Sequence, residues 1–230
     1  MGEYYNWVNV DRKEYICPAD FGYGAKRYES CHRDGAVLSA LRNLLSKEWK
    51  GCKVFWMGDE SPLPKKIDNE LFSILKRDCD EAGCPGDMFD TVYETYKNVS
   101  GLFKVTEEHV KQEISWYIED LIDGKKDLIN EYGINPIDPF EGLFLRKGEN
   151  YRYVINQTKG VGYSFETTKI LWIDGKKSDF VDPLPFLLGY GNYYEPGKWI
   201  GDIIVVEDEL PDGVSLIESI ALNMKQTDKR

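Results

Sequence analysis

Two stretches of the chain share one pattern of apolar and polar positions. Residues 49–60 read W-K-G-C-K-V-F-W-M-G-D-E, and residues 199–209 read W-I-G-D-I-I-V-V-E-D-E. Each opens on Trp-x-Gly, runs through a short apolar segment and closes on an Asp-Glu pair. The pattern predicts two buried strands, entered through a turn and left on acidic residues. The likeness continues upstream, where Tyr5-Asn6-Trp7-Val8-Asn9 precedes the first stretch and Tyr151-Arg152-Tyr153-Val154-Ile155-Asn156 precedes the second. Asn9 and Asn156 lie 147 positions apart, Trp49 and Trp199 lie 150 apart, and Asp59 and Asp208 lie 149 apart. A nearly constant offset is the trace a duplicated unit leaves. The intervening segments do not match: 34–50 predicts a helix, whereas 182–198 carries Pro183, Pro185, Pro196 and three glycines and cannot be one uninterrupted helix. Duplication and chance reuse of residue types both stay open.

Residues 4–10 predict an opening strand, with a hairpin partner at 14–17 after the turn 11–13. The helix over 34–50 places positions 37, 38, 41, 44, 45 and 49 on one face, with Asp34 to cap its start and Gly51 its end. A second helix is predicted over 68–82, stopped by Gly83, and a strand over 91–99 from alternating Val and Tyr. Residues 106–123 predict the most regular helix, 125–132 a short one, and 133–142, with two prolines, a linker. Hairpins follow at 143–147 with 151–156 and, around Asp174-Gly175, at 169–173 with 176–181. A strand at 199–207 and a closing helix at 214–224 complete the chain. The expected class is α+β: a mainly antiparallel sheet with hairpins and three to four helices, leaving room for two pseudo-repeated halves. The natural division is an N-terminal α/β unit at 1–135 and a β-rich unit at 143–230, or one continuous domain.

At 230 residues and 42% hydrophobic content the chain can bury a core without disulfides. Its five cysteines are an odd number and predict reduced thiols, hence a cytoplasmic protein. No apolar run approaches a membrane span and no secretory leader pattern is present, so no membrane is expected. A net charge of −11 excludes ordinary duplex binding, since phosphates would be repelled, and suits a basic protein partner instead.

Chemistry is sparse. Only His32 and His109 could serve a triad, and Cys31 beside His32 is a poor nucleophile–base pair because adjacent side chains rarely face each other. Cys79 and Cys84 would be half of a zinc site that lacks its other half. The loop 21–26 lacks the Gly-Lys-Ser/Thr ending of a phosphate cradle. If pseudo-symmetry joined the ends of the two matched strands, Asp59, Glu60, Asp208 and Glu209 could hold a divalent metal for hydrolysis. No cofactor is expected otherwise. The aromatics stand out more: 15 Tyr, 10 Phe and 6 Trp, with Tyr4, Tyr5, Phe21, Tyr23, Tyr190, Tyr193 and Tyr194 in predicted loops. The stretch 189–197 resembles an adaptable recognition loop. Tyr23, Tyr190, Tyr193, Tyr194 and Glu195 are therefore the candidate partner-binding residues.

The opening M-G-x-Y-Y-x-x-V-N, the segment 22–26 and Trp49-x-Gly51 ahead of Gly58-Asp59 together resemble a set of uncharacterised bacterial proteins. The resemblance covers about the first 60 residues. It implies a bacterial or phage origin and carries no activity or site residue. Cys52 stands where that pattern leads one to expect Asp. The expected function is an acidic binding protein that neutralises a basic, nucleic-acid-acting partner, of the immunity or anti-defence kind. A metal-dependent hydrolase and a self-associating scaffold are the alternatives.

Overall fold

The computed structural model describes residues 3–21, 26–103, 151–172, 174–192 and 194–222. The expected helices at 106–123 and 125–132, the linker and its domain division, the hairpin arm at 143–147, His109, Tyr23 and Tyr193 lie outside them. The described residues form an α+β fold. Its first sheet has five strands, in the order β4 (Lys97–Asn98), β2 (Glu14–Ile16), β1 (Tyr5–Asn9), β3 (Val54–Gly58) and β8 (Gly189–Tyr190). The second has four, in the order β10 (Ser215–Leu216), β6 (Val161–Ser164), β5 (Tyr153–Asn156) and β9 (Ile204–Glu207). A third pairs β7 (Lys169–Trp172) with β11 (Ser219–Leu222). The longest ladder is antiparallel, while β4, β8, β10 and β11 join their neighbours in parallel, so the first two sheets are mixed and the third is a parallel pair.

Helix α1 (Ala36–Ser46) lays Val37, Leu38, Leu41, Leu44 and Leu45 into the core, as its periodicity predicts. Its N-cap is Gly35, without a side-chain bond, rather than Asp34. Helix α2 (Glu70–Ala82) is capped by Asn69, whose Oδ1 accepts from Phe72 N–H at 3.0 Å, and is stopped by Gly83 in the left-handed region. Two expectations are corrected. Residues 88–95 are a helix, α3 (Met88–Thr95), because Asp87 caps it through Asp90 N–H and places Met88 and Val92 on one buried face. The closing helix expected at 214–224 is replaced, as far as residue 222, by β10 and β11. Ile220 and Leu222 alternate inward there against β7, a long-range pairing that overrides local helical preference. A one-turn helix, α4 (Leu184–Leu187), starts at the prolines that forbid a longer one.

The first sheet is covered on both faces. Tyr5, Trp7, Val54 and Trp56 face α1 and the second sheet; Val8, Val10, Phe55 and Met57 face α2 and α3. The former cluster also takes in Val154, Tyr163, Ile204 and Val206, so one core draws on residues either side of the expected division.

The strands β2-β1-β3 and β6-β5-β9 agree in detail. Asn9 pairs with Glu14 and Val54; Asn156 pairs with Val161 and Ile204. Both hairpin loops place a residue at positive φ in the same position, Lys13 at 53° and Gly160 at 64°, and Gly51 and Gly201 match likewise at 79° and 88°. Val10 N–H donates to Lys53 O, and Gln157 N–H to Ile203 O. Lys53 N–H donates to the Asp11 carboxylate at 2.6 Å, and Ile203 N–H to Thr158 Oγ1 at 2.9 Å. Lys53 and Ile203 themselves form an antiparallel bridge, where the two units meet. One bond differs. Asn156 Nδ2 donates to Asp202 at 2.7 Å, whereas Asn9 Nδ2 is buried without a partner among the described residues, and its Asp202 counterpart is Cys52.

Candidate functional site

The bridge between Lys53 and Ile203 decides the fate of the four strand-end carboxylates. From an antiparallel bridge, β3 and β9 run in opposite directions, so Asp59 and Asp208 end on the order of 30 Å apart at ~3.3 Å per residue. The structure does not bring Asp59 and Glu60 together with Asp208 and Glu209. Among the described residues no group of three or more His, Cys, Asp and Glu could hold a metal ion. Asp59 instead fixes the backbone of Tyr4: it accepts from Tyr4 N–H at 2.9 Å and its own N–H donates to Tyr4 O at 2.8 Å. Asp208 lines a groove beside Arg33, Arg42 and Arg152.

The sulfur of Cys31 is buried and donates to Tyr28 O at 2.8 Å; burial pushes its thiol up to about 12. The His32 ring points elsewhere, stacked on Phe180 at 5.6 Å, so the two form no dyad. All five cysteines are free.

The described residues of 189–197 are held down on the fold. Tyr190 packs on Phe72 with ring centroids 4.7 Å apart and donates its hydroxyl to Pro62 O. Tyr194 lies under the Arg27 guanidinium, 5.0 Å from its centroid. A Cβ on Gly197 would stand 2.2 Å from Leu187 O, and one on Gly189 2.4 Å from Pro185 O, so these glycines serve close backbone packing. Glu195 is exposed.

A different aromatic recess is open. Tyr4 and Asn6 stand on the face of β1 that looks toward α3, and Tyr15 of β2 lies beside them. Phe89 and Tyr93, one turn apart on α3, stack at 6.3 Å and 11° and form the opposite wall. The Tyr15 and Tyr93 rings approach to 6.4 Å. The 3-10 turn Pro18–Phe21 supplies Asp20, whose Oδ2 accepts from Asn98 Nδ2 at 2.8 Å. Asn98 is in turn placed by the pairing of Tyr15 with it across β2 and β4. The enclosed volume is about 300 Å³. Tyr4 and Tyr93 are 52% and 66% exposed at the rim, while Asn6 is only 7% exposed at the base. Asp20 is the one carboxylate among the described lining residues, and no Lys, Arg or His is among them. Burial, then the neighbouring Tyr93, pushes the Tyr15 hydroxyl up to about 12, so this ring stays neutral. The described lining has π faces, the Asp20 carboxylate, the Asn6 and Asn98 amides and the Cys17 thiol, which burial pushes up and keeps protonated. π faces beside one carboxylate suit a cation or a planar polar group. Of these residues only Tyr4 stood out in the sequence, because the recess joins positions from 4 to 98.

Among the described residues no helix is long and apolar enough to cross a membrane. Compared with known proteins, the chain matches no family model, no curated protein and no solved structure.

Proposed function

We propose that this protein is an acidic binding protein of a bacterium or phage, which captures a basic, nucleic-acid-acting protein and neutralises it. The observation that carries the reading is the recess between β1, β2 and α3: aromatic walls and one carboxylate, with no cation among its described residues, on a chain of net charge −11. Long-range attraction would bring a basic partner in, and the desolvated aromatic recess would supply the specific contact. The same reading treats β2-β1-β3 and β6-β5-β9 as copies of one ancestral unit, supported by their shared register and turn geometry.

The test is capture from a host lysate, followed by titration of each recovered protein and assay of its nuclease activity with and without this chain. Recovery of a basic nuclease that is inhibited stoichiometrically is expected. Recovery of only neutral or acidic proteins, or of a nuclease whose activity is unchanged by binding, would overturn the proposal.

A further inference from the structure

A second cavity, of about 210 Å³, opens where the turn between β6 and β7 meets residues 177–181 and Arg33. Its walls are fixed by backbone. Thr168 N–H donates to Ser164 O at 2.9 Å and closes the turn, Ser178 N–H donates to Ile170 O at 2.8 Å, and Arg33 N–H donates to Phe180 O at 2.9 Å. Ser178 is the anomaly in the wall. It is 3% exposed, and its Oγ is buried without a hydrogen-bond partner among the described residues. Native proteins leave few such groups unpaired, so a hydroxyl of this kind beside a polar cavity calls for an occupant. The surrounding charges indicate which kind. Arg33, Lys169 and Lys177 line the cavity against Glu166 and Asp179, a local excess of cations on a chain of net charge −11. Both carboxylates are already engaged, Glu166 by Arg152 at 2.8 Å and Asp179 by Lys177 at 2.6 Å. Among the described residues Lys169 forms no ion pair, and Arg33 meets only the exposed Asp34, at 3.8 Å.

We propose that this cavity binds a phosphate group, either the free ion or the terminal phosphate of a small ester. Arg33 and Lys169 supply charge-assisted donors, Ser178 supplies the buried hydroxyl, and Thr167 adds a hydroxyl at the turn. Donors drawn from three chain segments suit an anion with three or four acceptor oxygens better than a planar carboxylate with two. Arg33, Phe165 and Glu166 also line the neighbouring groove beside Arg42 and Arg152, which gives the rest of an ester a place to lie. The proposal is independent of the capture reading, because the cavity shares no lining residue with the recess.

The experiment is an NMR titration of the 15N-labelled full chain with inorganic phosphate and with adenosine monophosphate, against sodium acetate and sodium chloride at matched ionic strength. Saturable shifts at Arg33, Thr167, Lys169 and Ser178 are expected for phosphate, with a Kd of about 1 mM or below and acetate weaker by about tenfold or more. Shifts of the same residues by the nucleotide uphold the ester, and shifts by inorganic phosphate alone uphold the free ion. Lys169→Gln removes an exposed cation and is expected to weaken phosphate by about fivefold or more. Ser178→Ala is the sharper variant. It removes a hydroxyl that has no partner among the described residues, so the thermal transition of the free chain stays or rises while phosphate affinity falls by about threefold or more. A lowered transition would mark the hydroxyl as structural and overturn its assignment to the ligand. Absence of saturable shifts up to ~20 mM phosphate, acetate or chloride acting as phosphate does, or undiminished affinity in either variant overturns the proposal.

Discussion

Asp182 shows how single residues tie distant parts of the chain together. Its carboxylate is fully buried and accepts from Arg42 at 2.7 Å, from Tyr163 Oη at 2.6 Å and from Leu184 N–H at 2.9 Å. Truncation would strand a buried guanidinium, so Asp182→Ala is expected to cost about 3–5 kcal/mol in chemical denaturation; a loss under about 1 kcal/mol would contradict this account. Asn9 Nδ2, without a partner among the described residues, makes the opposite prediction. Cys52→Asp would copy the Asn156–Asp202 bond into the first unit, where Arg12 stands as Lys159 does beside Asp202. It is expected to raise stability by about 1 kcal/mol, and a destabilised variant would show that the two units differ at this point. Alkaline pH provides a third test. Cys31 and Tyr15, each pushed up to about 12 by burial from ordinary values of 9.0 and 10.0, are neutral in the fold. The unfolded chain therefore loses these protons first, and their contribution is full below pH 9.0 and is lost as pH rises toward 12. The urea midpoint should fall steadily between those limits; a flat profile would contradict their burial.

Elements were legible where a local signal sufficed. Helices α1 and α2 follow from periodicity, and the end of α2 from Gly83 as well, while its Asn69 cap emerges from the structure. Helix α3 was hidden because Val92, Tyr93 and Tyr96 are residue types that favour strands, although their i, i+1, i+4 spacing fits a helix, and the Asp87 cap and the burial of Met88 decide for one. The strands β10 and β11 depend on partners some fifty residues away, beyond the reach of any local pattern. The stretch 189–197 was read from its composition as a recognition loop; two of its glycines, Gly189 and Gly197, stand against the Pro185 and Leu187 carbonyls. Gly197→Ala is accordingly expected to lose about 1–3 kcal/mol, measured by thermal or urea unfolding. Tolerance of alanine there would contradict the close backbone packing at Gly197.

At the scale of the whole molecule, the matched β-units meet at Lys53 and Ile203 and run apart from that bridge. This arrangement separates the acidic strand ends that a shared metal would need to bring together. It also leaves the recess of the first unit on its own, walled by α3. The offset of the repeated stretches was visible in the sequence; the direction in which the two units face was not, because a single backbone bridge sets it. The charge was equally visible, and its consequence is testable. The most direct measurement is the affinity for the captured basic partner as salt is raised from roughly 0.05 to 0.3 M, by calorimetry. Weakening by about tenfold or more is expected if an acidic surface draws in a cationic one. An affinity indifferent to salt would contradict the account.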